Sequence, residues 1–327
     1  MLSRRKLLLA MGAGALSAPY GAWAQQAGKT YRIGWLSSSN NYNEPYLQAF
    51  TQRLAELGFV EGRNLIIERR HADNKLERLP DVAAELGKLK CDAFFGGGNE
   101  AQLAALTKAN RTTPIVFVAV DFDPVATGDV ASLARPGGRM TGLTGLVSQL
   151  PAKRLELMNE MFPALRRIAV FANDQTTAQL ALIQGTARRL GLDLHVVDFK
   201  RPPFDYPAGF ADAVRAKSDA LFVLGSGLWV PARRLIPELA IKAKLPAVFH
   251  HGLWVESGGL MSYGVNFSRM WRRGAEMLVN VLQGAKPADI PMEQPTEFEL
   301  VINQKTAAAL GVKIPSAMLL RADRVIG

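Results

Sequence analysis

Pro114–Gly145, PIVFVAVDFDPVATGDVASLARPGGRMTGLTG, is the stretch on which the fold turns. It opens with an unbroken apolar run, Ile115 to Val120, the pattern of a strand buried on both faces of a parallel sheet. Asp121 and Asp123 follow at the carboxyl end of that strand. A helix-like DVASLA comes next, then the turn Arg135-Pro136-Gly137-Gly138, then TGLTG, whose small residues let the backbone change direction. The stretch therefore reads as the end of one α/β lobe, offering polar groups to a ligand and passing the chain to a second lobe.

Upstream of it, strand and helix alternate. Tyr31 to Leu36 reads as a strand ending in Ser37-Ser38-Ser39-Asn40. Leu47, Phe50, Leu54 and Leu57 then form one helical stripe, closed by Gly58. Leu65 to Glu68 is a strand, Leu76 to Leu89 a helix, Asp92 to Phe95 a strand and Glu100 to Lys108 a helix. Such alternation predicts a parallel sheet with right-handed crossovers.

Downstream the rhythm restarts. Helices are expected at Leu150–Phe162, Ala178–Leu190, Phe210–Ala216 and Pro231–Ala243. They alternate with strands at Arg167–Ala172, Leu194–Phe199, Ala220–Leu224 and Ala247–Phe249. The remainder breaks the pattern: strand Leu260–Val265, helix Phe267–Leu282, strand Phe298–Ile302, helix Gln304–Leu310 with Gly311 as its stop, and a short tail. An extra strand and helix after a complete second lobe predict that the chain crosses back to the first lobe and returns. The expected fold class is α/β: two doubly wound parallel-sheet lobes joined by a three-strand hinge. One lobe takes residues 30–143 plus about 266–290, the other 144–265 plus about 291–325.

The chain begins with a positive segment, Arg4-Arg5-Lys6, an apolar run to Leu16 and a small-x-small site, Ala22-Trp23-Ala24. Residues 1–24 read as a secretory signal peptide, and Arg4-Arg5 after Ser3 points to the twin-arginine route. The run is short and rich in Gly and Ala, so a membrane span is the weaker reading. The expected compartment is the periplasm. Cys91 is the single cysteine, which excludes an intramolecular disulfide and, lying far from the apolar run, a lipid anchor. At 327 residues and 48% hydrophobic content, two full cores can hold the fold instead. Removing Arg4, Arg5 and Lys6 takes the formal charge from +10 to +7. Basic pairs such as Arg166-Arg167 and Arg272-Arg273 are scattered over helix faces without interleaved aromatics, which speaks against a nucleic-acid surface.

Almost every strand ends in small or polar residues: Ser37-Ser38, Gly96-Gly97-Gly98-Asn99, Asp121 and Asp123, Asn173-Asp174, Gly225-Ser226, and His250-His251. Ligands of open α/β sheets bind at those ends, where helix N-termini present free N–H groups. Each residue alone also reads as ordinary loop chemistry; the recurrence carries the argument. The expected ligand contacts are Ser37, Ser38, Asn99, Glu100, Asp121, Thr144, Asp174, Ser226 and His250. They would act as hydrogen-bond partners, with a carboxylate such as Asp121 or Glu100 receiving a ligand ammonium. The aromatics Trp35, Tyr42, Trp229, Trp254 and Tyr263 are candidates to stack on a flat solute, or plain packing.

No catalytic set closes. Gly96-Gly97-Gly98-Asn99-Glu100 lacks the spacing of a nucleotide loop, and Gly225-Ser226-Gly227 is not a hydrolase elbow. Adjacent side chains at His250-His251 are expected to diverge, a poor arrangement for a metal. No cofactor and no metal are expected.

Several long blocks resemble one family: Tyr31-Arg32-Ile33-Gly34-Trp35-Leu36, Gly58-Phe59-Val60-Glu61-Gly62-Arg63-Asn64-Leu65, Pro114-Ile115-Val116-Phe117 and Asp123-Pro124-Val125-Ala126-Thr127-Gly128. Further blocks are Ser132 to Gly138, Thr141-Gly142, Gly259 to Gly264, Gly284 to Pro291, and Asn303 to Gly311. They resemble the solute-binding components of ABC importers with a type I periplasmic-binding fold, in the branch that includes tryptophan-binding-like proteins. The resemblance implies a non-enzymatic, monomeric two-lobed trap for a small molecule, an amino acid or an aromatic or organic acid. It also implies delivery to an ABC permease and ATPase. A sensor module for a membrane receptor, or an exported enzyme on the same scaffold, are the alternatives.

Overall fold

A computed structural model describes residues 29–38, 45–73, 75–120, 122–145 and 150–327. The expected leader, Tyr42 and Asp121 lie outside the described residues.

The first lobe is built from β1 (Tyr31–Ser37), α1 (Pro45–Glu56), β2 (Leu65–His71), α2 (Leu79–Gly87), β3 (Ala93–Gly98), α3 (Glu100–Ala109), β4 (Ile115–Ala119) and β5 (Met140–Thr144). Its sheet runs β2-β1-β3-β4-β5, with every pairing parallel. The order reverses between β1 and β3, so the crevice outside their carboxyl ends is the natural ligand position. All five residues of β4 are buried, as its unbroken apolar sequence requires.

The second lobe follows with α4 (Leu150–Met161), β6 (Arg167–Ala172), α5 (Thr177–Leu190), β7 (Asp193–Asp198), α6 (Tyr206–Arg215), β8 (Ala220–Val223), α7 (Leu235–Lys242), β9 (Ala247–Phe249), α8 (Gly252–Glu256) and β10 (Met261–Val265). The chain then crosses back as α9 (Phe267–Leu282) and returns as β11 (Phe298–Asn303), α10 (Gln304–Leu310), α11 (Ser316–Arg321) and β12 (Arg324–Ile326). This sheet runs β12-β11-β10-β9-β8-β6-β7 and reverses between β6 and β8. It is not wholly parallel: β11 pairs antiparallel with β10, and β12 follows β11.

Helix α9 belongs by packing to the first sheet, where it lies on α1 and across β3, β4 and β5. Its buried stripe includes Met270, Trp271, Gly274, Ala275 and Leu278, while Arg269, Arg272 and Arg273 sit off that stripe. The stripe joins Trp35, Phe50 and Phe95 in one core, with the rings of Phe50 and Phe95 stacked at 3.9 Å. The first and third crossings run side by side. Thr144 N donates to Glu293 O at 2.9 Å, and Glu293 N donates to Gly142 O at 3.0 Å. Arg273 on α9 holds the Glu293 carboxylate at 2.7 Å. The second crossing is Asn266, which caps α9 through Arg269 N and donates to Glu299 on β11 at 2.8 Å.

The structure corrects the sequence reading at several elements. DVASLA is no helix but an irregular run of bends. Asp123 folds the local backbone, its carboxylate accepting from Val125 N at 2.9 Å, and Ala131 N donates to Pro136 O at 2.9 Å. Pro231 lies inside a 3-10 turn, Gly227–Ala232, and the helix beyond starts only at Leu235. Helix α6 starts earlier than expected because Asp205 caps it, accepting from Ala208 N, with Pro207 in its first turn. Helix α8 was not foreseen, and the expected tail carries α11 and β12.

Candidate functional site

The carboxyl ends of the two sheets face one cavity of about 380 Å³, lined by both lobes and by α9. That is the size range of small-molecule sites.

On the first lobe, Ser38, Gly97, Gly98 and Asn99 form the wall. Gly97 is small for a reason: a Cβ there would stand 2.5 Å from Cζ2 of Trp271, so the indole can lie directly on the strand end. Gly98 has φ +153°, and a Cβ would stand 2.3 Å from Gln102 Oε1. Asn99 caps α3, its side chain accepting from Gln102 N at 3.1 Å. Gln102, almost wholly buried, donates through Nε2 to Leu36 O at 2.8 Å.

On the second lobe, Gly227, Leu228, His250, His251 and Trp254 form the opposite wall. Trp254 stacks on Phe249 of β9, ring centroids 5.0 Å apart. The two imidazoles do not diverge as expected. His251 is extended at the N-terminus of α8, and its ring meets the His250 ring edge-on at 4.5 Å. His251 also reaches across the cleft to Phe267 of α9 at 4.4 Å, while Phe267 and Trp271 stand one helical turn apart on the same face.

Both imidazoles are buried. Burial pushes His250 well below its ordinary value, with His251 and Arg154 adding to the effect. Burial likewise pushes His251 down to about 3, helped by the charges of Arg233 and Arg154. Both rings are therefore neutral at physiological pH. Buried polar atoms on residues lining the cavity have no hydrogen-bond partner among the described residues, among them His250 Nδ1, His251 Nδ1, Trp254 Nε1, Trp271 Nε1 and Gln102 Oε1. Buried polar groups are ordinarily satisfied, so their gathering around one cavity marks a site completed from outside the chain.

Of the expected contacts, Ser38, Asn99 and His250 line this cavity. Ser37 is half-buried at the end of β1, off the wall. Glu100 and Asp174 are exposed and also off it. Thr144 is buried at the first crossing, its hydroxyl donating to Phe122 O at 3.3 Å. Ser226 is fully buried one residue behind the wall, donating to Gln175 Oε1 at 2.9 Å and accepting from Asn173 Nδ2 at 3.0 Å. Its partners are amides, none of them a base. Among the described candidate aromatics, Trp254 lines the cavity; Trp35 and Trp229 are core, and Tyr263 packs with Phe298. The reading missed Gln102, His251, Phe267 and Trp271. The spacing of Phe267 and Trp271 on a helix that crosses back was the available signal for that pair. Among the described residues no group of three His, Cys, Asp or Glu side chains is placed to hold a metal, and no helix is long and apolar enough to cross a membrane.

Comparison with known proteins agrees with this geometry. The family described as "ABC transporter substrate binding protein" matches residues 44–326. A tyrosine-binding protein of Clostridioides difficile is 26% identical over 273 residues, covering 83% of this chain and 77% of that protein. A conserved domain protein of Vibrio cholerae superposes with a TM-score of 0.79 at 26% identity, over 91% of this chain and all (100%) of the other. An ABC domain from Streptococcus pneumonia, solved in complex with L-Trp, has the same fold, with a TM-score of 0.79, 23% identity and coverage of 91% and 100%.

Proposed function

As the chain belongs to the family of ABC transporter substrate binding proteins, we propose that it is the exported component of an importer and captures a small solute with a flat, apolar body. The solute sits between the lobes, which close over it about the three crossings, and is handed to a permease and its ATPase. Residues 1–24 direct export and are removed. The protein acts as a monomer and releases its solute chemically unchanged.

The observation that carries this reading is the pair of ring systems on opposite walls, Trp254 with the two histidines on one lobe and Phe267 with Trp271 against the other. Rings from two bodies that can move apart form a clamp for a planar solute. The tyrosine-binding relative supports an aromatic ligand. Mass spectrometry of the solute carried through native purification, followed by calorimetric titration with aromatic amino acids and aryl acids, tests the reading. A bound aromatic solute is expected, recovered intact. At a hundredfold excess over Kd it should add about 2.7 kcal/mol of stability. Binding of sugars or polyamines, with every aromatic solute silent, would sink it.

A further inference from the structure

Rings of the two walls touch where His251 meets Phe267, and a single carboxylate stands behind that contact. We infer that Glu299 is a positioning residue for solute capture: by holding Asn266 and packing on Gly252 it fixes the start of α9 against the start of α8, and with it the gap between the ring sets. The inference rests on the capture reading above.

Gly252 and Asn266, the chain neighbours of His251 and Phe267, both meet Glu299, which is buried on β11. Asn266 Nδ2 donates to Glu299 Oε2 at 2.8 Å, while Asn266 Oδ1 caps α9 by accepting from Arg269 N at 2.9 Å. Both ends of the amide are thereby fixed. The other carboxylate oxygen lies against α8: a Cβ at Gly252 would stand 2.8 Å from Glu299 Oε1, so a side chain there would displace it. Arg324 on β12 stands 3.9 Å from the same oxygen and donates to Glu256 Oε1, at the last residue of α8, at 2.6 Å. The strand pair β11–β12 thus grips α8 at both ends and holds the cap of α9 from the same strand. Burial pushes the Glu299 carboxyl up, while Arg324 and Asn266 favour its charged form. A position that served packing alone would carry an apolar residue, as its neighbours Leu300 and Val301 do, because a buried carboxylate is costly. Loosening either helix start misaligns the clamp, and a binding-competent arrangement that is less populated lowers the apparent affinity by the same fraction.

Asn266→Asp tests this, because it keeps a capping oxygen for Arg269 N and turns the donor facing Glu299 into a second acceptor. Calorimetry with L-tryptophan, L-tyrosine, indoleacetate and hydroxyphenylacetate should show the tightest of these weakened at least about tenfold, the scale of one charged hydrogen bond. Adding Glu299→Gln supplies a donor opposite the new carboxylate and should bring the affinity back to within about threefold of the wild type. Spin labels on Glu100→Cys and Asp174→Cys, exposed positions on the two lobes, in a Cys91→Ser background give a readout without solute. The interlobe distance should be broader in Asn266→Asp than in the wild type or the double variant. Glu299→Leu, which exchanges a buried charge for an apolar side chain, should act as Asn266→Asp does and serves should that variant not fold. Affinity and distance unmoved in both, or a loss that the double variant does not repair, overturns the inference and leaves the capture reading standing. Silence of every solute in the wild type fails the capture reading, and the label distances then decide the tie alone.

Discussion

Strand β3 ends in Gly96-Gly97-Gly98 and strand β9 ends in His250-His251, and both ends face the same cavity. At β3 the strand withholds side chains so that a ring from elsewhere, Trp271 on α9, can lie against its backbone. At β9 the strand supplies the rings itself, and the glycine stands on the neighbouring strand: a Cβ at Gly264 would fall 1.8 Å from His250 O. One wall thus takes its ring from a distant part of the chain, whereas the rings of the other come from one short stretch, His250 to Trp254, seated against β10. The difference implies that the walls fail in different ways. The first is sensitive to bulk, the second to protons.

Acidification should separate them most strongly. The unfolded chain protonates each imidazole near its ordinary value of 6.5, whereas the folded protein holds His251 neutral down to about 3 and His250 well below the ordinary value. The unfolded state therefore binds more protons as pH falls below 6.5. The stability present above that pH is lost progressively, and the loss from His251 levels off below about 3. Each ring should remove about 2 kcal/mol by roughly pH 5. Urea unfolding midpoints at neutral and acid pH check this, and His251→Phe should flatten the dependence by about half. A wild-type midpoint indifferent to pH across this window would break the asymmetry between the walls.

The next largest effect belongs to the glycine wall. Gly97→Ala places a methyl 2.5 Å from the Trp271 ring, which must swing into the cavity. Overpacking of this kind costs about 1–3 kcal/mol, and we expect it to appear chiefly as a solute affinity lowered tenfold or more. Calorimetry beside thermal denaturation distinguishes the two. An unchanged affinity would mean that Trp271 does not shape the solute's seat.

How much of this was legible depended on which residues bring the site together. The strands of the first lobe were readable because burial on both faces leaves an unbroken apolar run, as at Ile115–Val120. The crossing helix was readable because it interrupts a regular alternation. DVASLA was misread because its Ser132 hydroxyl bonds the local backbone, donating to Arg135 O and accepting from Arg135 N, a competition that periodicity does not register. Ser38, Asn99 and His250 followed from the rule that ligands meet strand ends. Gln102, Phe267 and Trp271 did not. They arrive on helix faces, and only the packing of α9 on the first sheet turns Trp271 towards Gly97.

The smallest effect comes from two neighbours. Asn99 and Glu100 stand side by side at the start of α3, where successive residues are turned by about 100°, so one faces the cavity and the other solvent. Asn99 accepts from Gln102 N and so steadies the residue that presents the orphaned Oε1. Asn99→Ala should cost about 1 kcal/mol of stability through the lost cap and weaken solute binding a few-fold through the loosened Gln102. Glu100→Ala removes an exposed acid from the first turn and should change stability by less than about 0.5 kcal/mol, with affinity untouched. Thermal denaturation and calorimetry on the two variants decide it. The reverse result, binding lost with Glu100 and kept without Asn99, would place an acid in the cavity and undo the division of the first wall.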